Sequence, residues 1–236
     1  NTLFEGEAEE KLVTHIEQEI CQLTHPTIYI HIPFCRTKCD FCDFPTVIFN
    51  SIIGKNYIAA LDRQLAYLQK TYPQLDMSKV YIGGGTPATL LPELLALQMK
   101  YKIGVSELSV EAHPQDFAHI TETELQEMGA TFSRVSIGVQ TFNEDLLEKM
   151  NRSNGQRPLE YIQKAVDSGM LVNVDLIYGI EGQTLESFLS DLNNLINLGV
   201  PQITCYPLMG KEKQAEPSAR EDQFYRALLD VFAQHG

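Results

Sequence analysis

Six short runs rich in β-branched residues, alternating with amphipathic stretches, constrain this chain more than any other feature. They are Ile28–Ile32, Val80–Ile82, Leu108–Glu111, Arg134–Val139, Leu171–Tyr178 and Ile203–Leu208, bounded by Gly, Pro, Asn or Asp. Their length, branching and flanks favour strands. Between them apolar residues recur at spacings of three and four: Tyr57, Leu61, Leu65 and Leu68; Tyr161, Ile162, Ala165 and Val166; Phe188, Leu192, Leu195 and Ile196. That period gives a helix one apolar face. Thr121-Glu122-Thr123-Glu124 reads as a capping box, and Thr184 as a second N-cap. Gly129 and Gly169 stand where helix C-caps belong. Repeated strand–helix units predict a parallel sheet. The expected fold is α/β, a partial (β/α)6 TIM-like barrel, with its chemistry at the C-terminal ends of the strands.

Three segments follow from this pattern: an N-terminal helical extension over 1–26, the strand–helix core over 27–209, and a linker with the start of a C-terminal region over 210–236. The polar stretch Gly210–Ala219 reads as the linker, and a last helix is expected from about Arg220 to Gln234. This leaves room for a C-terminal domain beyond it.

The formal net charge of −13 sets the chain against phosphate backbones, so nucleic acid is excluded as a first partner. No apolar run approaches the ~18 residues a membrane helix needs. Five cysteines is an odd number, three of them fall between Cys35 and Cys42, and the N-terminus lacks the shape of an export signal. That usage favours a reducing cytosol and metal ligation over a disulfide framework.

Cys35, Cys39 and Cys42 follow the first strand in Tyr29-Ile30-His31-Ile32-Pro33-Phe34-Cys35, at a C-x3-C-x2-C spacing. Thiolates suit iron–sulfur clusters, zinc and copper(I). Three ligands leave one position unfilled. Either a cluster keeps one iron open, or His31 completes a zinc site. Cys21 and Cys205 read as small buried apolar residues. The second strand runs into Gly83-Gly84-Gly85-Thr86-Pro87, where glycine permits close backbone approach. Glu111 ends the third strand, Gln140 the fourth, and Asp175 lies in the fifth, with Arg152 between the last two. A carboxylate at such a strand end suits an ammonium group or ribose hydroxyls.

The cysteine spacing, with Phe41 just before the third thiol, resembles the radical SAM signature. Tyr29-Ile30-His31, Gly83–Pro87, Val110-Glu111-Ala112-His113-Pro114, Arg134–Gln140, Asn151-Arg152, Val174–Gly179 and Gly182-Gln183-Thr184 stand in family order. Together they make residues 27–209 similar to the oxygen-independent coproporphyrinogen III oxidase family (HemN/HemW-like). The resemblance implies a [4Fe–4S] cluster on Cys35, Cys39 and Cys42, and one or two molecules of S-adenosylmethionine (SAM). It implies Tyr29 and Phe41 beside cluster and SAM, and Gly84, Gly85 and Thr86 at the methionine end. Glu111, Gln140, Arg152 and Asp175 would surround SAM, and Ile177 would line an adenine pocket. Tyr29, Glu111 and Asp175 are the implied catalytic residues, and His31 lies near the cluster. It further implies a cytoplasmic enzyme with a reducing partner such as flavodoxin or ferredoxin, acting on a small-molecule or tetrapyrrole substrate.

Two stretches depart from the porphyrinogen oxidases. Those resemble Cys-x-Phe-Cys-x-Cys, whereas this chain reads Cys39-Asp40-Phe41-Cys42-Asp43-Phe44. Asp43-Phe44 resembles heme chaperones and HemN-like methyltransferases. Tyr206-Pro207-Leu208-Met209 resembles members that use a second SAM for methyl or methylene transfer to a small molecule. Such a transferase is the expected activity. A heme chaperone is the alternative, as is a porphyrin-directed enzyme, either a coproporphyrinogen III dehydrogenase or a heme-opening methyltransferase. Replacing Cys39 by Ala is expected to abolish cluster assembly, read as iron and sulfide content and visible absorption after anaerobic reconstitution. Full iron and sulfide in that variant would overturn the assignment.

Overall fold

Each of the six apolar runs is a strand in the computed structural model, which describes residues 7–118, 120–208 and 219–235. They are β1 (Thr27–Ile32), β4 (Lys79–Gly84), β5 (Glu107–Ala112), β6 (Arg134–Gln140), β7 (Leu171–Tyr178) and β8 (Gln202–Pro207). Two further strands, β2 (Phe34–Cys35) and β3 (Val47–Ile48), were not anticipated; they pair in parallel. The helices are α1 (Glu7–Gln22), α2 (Ser51–Thr71), α3 (Leu91–Tyr101), α4 (Glu122–Thr131), α5 (Glu144–Lys149), α6 (Pro158–Asp167), α7 (Leu185–Asn197) and α8 (Ala219–His235). Met209 and all of the expected linker except Ala219 lie outside the described residues.

The main sheet has the order β1-β4-β5-β6-β7-β8, so successive strands are neighbours. The pairs from β5 to β8 are parallel. This is the α/β arrangement that alternating strands and helices dictate. Among the described residues no helix is long and apolar enough to cross a membrane.

The chain divides into two compact units. Among the described residues the first comprises 7–30, 50–81 and 90–108. There Asn50 caps α2 by accepting from the backbone N–H groups of Ile52 and Ile53. Asp62 of α2 accepts from Lys100 Nζ at 2.6 Å and from the Tyr101 hydroxyl at 2.7 Å, which fixes α3. The Lys100 and Tyr101 hydrogen bonds hold the Asp62 carboxyl below its ordinary range. Cys21, expected to be buried, is exposed on α1.

Among the described residues the second unit comprises 31–49, 82–89, 109–118, 120–208 and 219–235, and it holds the larger core. Ile162 and Ala165 of α6, and Phe188, Leu192 and Leu195 of α7, are fully buried, as the helical periodicity predicts. The rings of Tyr178, Phe188 and Phe224 pack together with centroids 5.5–6.2 Å apart. Arg220 of α8 donates to the carbonyls of Ile180 and Gln183 at 3.0 and 2.6 Å, tying that helix to the loop after β7.

The caps are as expected at Thr121 and Thr184. Thr121 accepts from Glu124 N–H and Glu124 accepts from Thr121 N–H, while Thr184 exchanges the same pair with Ser187. Gly169 follows α6 with φ +85°. Gly129 is a correction: it lies inside α4, not at its end. A Cβ there would stand 2.5 Å from the Ser168 carbonyl oxygen, so the missing side chain admits the end of α6. Helix propensity alone would make Gly129→Ala stabilising by about 1 kcal/mol. The clash is with backbone, which cannot swing aside, so overpacking wins. We expect a net loss of roughly 1–3 kcal/mol in urea unfolding.

Candidate functional site

The cluster loop is anchored by backbone. Val47 N–H donates to Pro33 O and Phe49 N–H to Cys35 O, both at 2.8 Å. On the other side Gly85 N–H donates to Ile32 O at 2.8 Å and Thr86 N–H to Phe34 O at 2.6 Å. Such proximity requires glycine. A Cβ on Gly85 would lie 2.6 Å from Phe34 O and 2.9 Å from Cys35 Sγ. Gly84 has φ +125°, and a Cβ there would meet the His31 ring at 2.7 Å.

The loop's far end is held from β6 and α5. Asp40 N–H donates to Met150 O at 3.1 Å, and Asn151 Nδ2 to Lys38 O at 3.0 Å. Arg152 donates to Cys39 Sγ at 3.3 Å, to Asn154 Oδ1 at 3.3 Å, and to the Gly138 carbonyl. Phe41 packs on the buried cluster of Leu146, Leu147, Met150, Ile177 and Ile180. Burial pushes the Cys35 thiol up, the neighbouring Cys42 and Cys39 add to this, and the Thr86 and Thr46 hydroxyls oppose it. A bound metal's charge reverses that balance and favours the thiolates.

A cavity of about 690 Å³ opens beside these thiols. That is within the range of roughly 300–1,000 Å³ usual for small-molecule sites. Cys35, Cys39, Cys42, Phe41, Gly84, Gly85, Thr86, Glu111, Gln140, Arg152, Asp175 and Ile177 all line it. The structure thus gathers twelve of the thirteen residues singled out from sequence. Tyr29 is not brought there: it is 56% exposed and its ring stacks on Tyr81 at 6.1 Å. His31 is not positioned as a fourth metal ligand, since its Nε2 faces Pro45 O at 3.4 Å. Cys205 does not line the cavity either; alternation along β8 gives that place to Tyr206.

The polar wall is built on adjacent strands in register. Glu111 accepts from Gly84 N–H at 2.9 Å. Asp175 accepts from Ser136 Oγ at 2.9 Å and Asn173 Nδ2 at 2.8 Å, and Asn173 Oδ1 accepts from Thr204 Oγ1 at 2.7 Å. Burial raises the Asp175 carboxyl above its ordinary value, against the pull of Ser136, Asn173 and Arg134. Gln140 sits at a β-bulge, where Gly138 pairs with Asp175 but Gln140 with Leu176. Its φ is +72°, a left-handed conformation that costs a non-glycine residue about 1–3 kcal/mol. The bulge folds the amide back over Gly138, where a Cβ would stand 2.9 Å from Nε2.

Sequence reasoning missed Arg36, Lys38, His113, Gln115, Ser136 and Tyr206, all on the cavity wall. Ser136 pairs with Glu111 across β5 and β6, and Tyr206 with Ile177 across β7 and β8, so each shares a face with a residue already singled out. The donor set fits the implied groups. Three thiols on one loop suit an iron–sulfur cluster with one open iron, and Glu111 and Asp175 line the cavity, where carboxylates are chemically suited to an ammonium or hydroxyls.

A radical SAM superfamily model matches residues 29–195. The chain is 31% identical over 229 residues to the heme chaperone HemW of Bacillus subtilis (strain 168), covering 88% of this chain and 60% of that protein. It is 30% identical over 217 residues to the anaerobilin synthase of Escherichia coli O157:H7, covering 85% of this chain and 48% of that one. Among solved structures, coproporphyrinogen III oxidase (HemN) from Escherichia coli superposes with a TM-score of 0.78 at 24% identity, covering 99% of this chain and 57% of that one. The chain therefore spans roughly half to three-fifths of the length of these relatives.

One buried carboxylate holds the turn after Gln140. Asp191 of α7 accepts from the Thr141 hydroxyl at 2.6 Å and from Phe142 N–H at 3.2 Å. Burial pushes it up to about 6, from an ordinary 3.8. Between those values the unfolded chain has released this proton and the native chain still holds it. The contribution of Asp191 is therefore full at low pH, declines as pH rises from about 4 to 6, and is constant above. The decline is at most about 3 kcal/mol. Asp191→Asn, a neutral isostere, is expected to flatten that part of the stability–pH curve in urea titrations. An unchanged slope would assign the decline to another group.

Proposed function

This chain belongs to the radical SAM superfamily, and on that premise we propose that it is a heme-directed member, akin to the heme chaperones, holding cluster, SAM and substrate at one cavity. Cys35, Cys39 and Cys42 would ligate the [4Fe–4S] cluster, a cofactor of this family along with SAM. The chemistry those groups supply when bound is reductive cleavage of the SAM sulfonium, with the electron coming from a reduced protein such as flavodoxin or ferredoxin.

The chain's own residues do the positioning. Glu111, fixed by Gly84 N–H, offers a carboxylate to the methionine ammonium of SAM. Thr86 hydrogen-bonds Cys35 Sγ at 3.8 Å and Arg152 bonds Cys39 Sγ, so two ligand sulfurs are held by neutral and cationic donors. Asp175, held by Ser136 and Asn173, receives ribose hydroxyls, and Ile177 presents an apolar wall to adenine. Phe41 and Leu208, packed on the cluster of Ile177 and Met150, keep water from that end.

The observation that carries the heme reading is the pair of exposed rings on the cavity wall. Phe44 stands where the porphyrinogen oxidases carry an extra cysteine, and it is 67% exposed; Tyr206 is 52% exposed. Large apolar rings left bare around a cavity suit a flat conjugated ligand better than a small polar one. The names of the relatives support the same substrate class. Methyl or methylene transfer, read from Tyr206-Pro207-Leu208, gains no support from them.

With the anaerobically reconstituted chain we expect saturable hemin binding, followed by the shift of the Soret band. Dithionite and SAM should give 5′-deoxyadenosine without S-adenosylhomocysteine. Phe44→Ser with Tyr206→Ser should weaken hemin about tenfold, the value of losing ring contacts. S-adenosylhomocysteine formed in parallel with 5′-deoxyadenosine, and no hemin binding, would replace this reading with the transferase.

A further inference from the structure

His113 follows β5 and lines the cavity. Its orientation is fixed twice. Ring Nδ1 accepts from Gln115 N–H at 3.2 Å, capping the short 3₁₀ turn Pro114–Phe117. Its backbone N–H donates to the Asp116 carboxylate at 2.8 Å. With the Nδ1 lone pair used, the neutral ring carries its proton on Nε2. Among the described residues that Nε2 has no hydrogen-bond partner, and it is not sealed from solvent.

The surroundings decide what such a donor is for. Burial and the charges of Arg152 and Arg36 push the His113 imidazole down to about 2, so it stays neutral and serves neither as base nor as acid near pH 7. Arg36 donates to the other oxygen of Asp116, so Arg36 and His113 are held by one carboxylate. One N–H of Arg36 is spent there, which leaves others of its planar fork to turn to a ligand. Gln115 Nε2 donates to Ser153 Oγ at 3.4 Å, closing this side of the wall with a further donor. The apolar lining of Phe41, Ile177 and Leu208 forms a separate packed group.

We propose that His113 and Arg36 form a carboxylate-binding subsite, in which His113 Nε2–H and the Arg36 guanidinium donate to a carboxylate of the bound ligand. A guanidinium beside a fixed neutral donor matches the two oxygens of a carboxylate. Two ligands of this cavity carry that group: SAM through its methionine end and, under the heme reading, a tetrapyrrole through its propionates. The second source rests on the function proposed above.

His113→Asn separates the two, because Asn is itself a good N-cap and keeps the turn while withdrawing the ring N–H. The probes are SAM, hemin and hemin dimethyl ester, titrated into the anaerobically reconstituted chain. A hydrogen bond to a charged group is worth about tenfold or more in affinity. Loss of that size for hemin, with the ester and SAM unmoved, places a propionate at the subsite. The same loss for SAM alone places the methionine carboxylate there. His113→Gln, whose amide reaches farther than that of Asn, should restore part of the loss. Unchanged affinity for both SAM and hemin overturns the subsite. Should the wild type take up no hemin at all, the heme reading falls and the SAM titration alone decides. If His113→Asn melts well below the wild type, Arg36→Gln is measured in its place, with the same outcomes supporting or overturning the proposal.

Discussion

The site depends on one close approach of backbone to backbone. Gly85 and Thr86, just past the end of β4, donate to the carbonyls of Ile32 and Phe34, and no side chain on Gly84 or Gly85 would fit against that segment. That contact fixes where Cys35 stands. β3 holds the same segment from the other side through Pro33 and Cys35. The first thiol is therefore set by main-chain geometry rather than by its own packing. Its position relative to Thr86 and Glu111 follows, because both are reached from the same glycine turn.

The other two thiols are held differently. Cys39 and Cys42 lie on a loop whose support comes from Met150, Asn151 and Arg152, at the end of α5. Asn143 caps α5, and Asp191 holds the Thr141–Phe142 turn just before it. A chain of hydrogen bonds thus runs from a carboxylate on α7 to the cluster loop. Leu146, Leu147 and Met150 on that path belong to the same buried group as Ile177, and Phe41 of the loop packs on it, so ligand pocket and cysteine loop rest on one apolar cluster.

Much of this was legible in the sequence, for physical reasons that differ by element. The six strands of the main sheet could be read because β-branched runs between turn residues have few other uses. Their ends moved by a residue or two, since side-chain pattern does not report where ladder hydrogen bonds stop. β2 and β3 were invisible: two residues carry no periodicity. Gly129 misled because a glycine near a helix end serves a C-cap or a close contact equally well, and only the position of Ser168 decides. Tyr29 was drawn toward the site by resemblance, whereas its ring meets Tyr81. The bulge at Gln140 follows from one unpaired residue, which no spacing rule marks. His113 was passed over as the variable position of a motif. Its value lies in a hydrogen bond to Gln115 that exists only once the turn has formed.

The ladder of Ser136, Asn173, Asp175 and Thr204 has a second consequence. β6 and β7 carry valine, isoleucine or leucine on one face, and the other face is largely buried too. Strands buried on both sides lack the contrast between solvent and core that normally selects how they align. Here the selection falls to the polar groups. Asn173 lies opposite Ser136, Asp175 opposite both Gly138 and Thr204, and a slip of one residue would strand every one of them in an apolar environment. The side chains kept for the ligand are thus also the alignment key of the sheet. Evolution of a new specificity at this wall is confined to replacements that still pair with one another, so such changes should come in sets rather than singly.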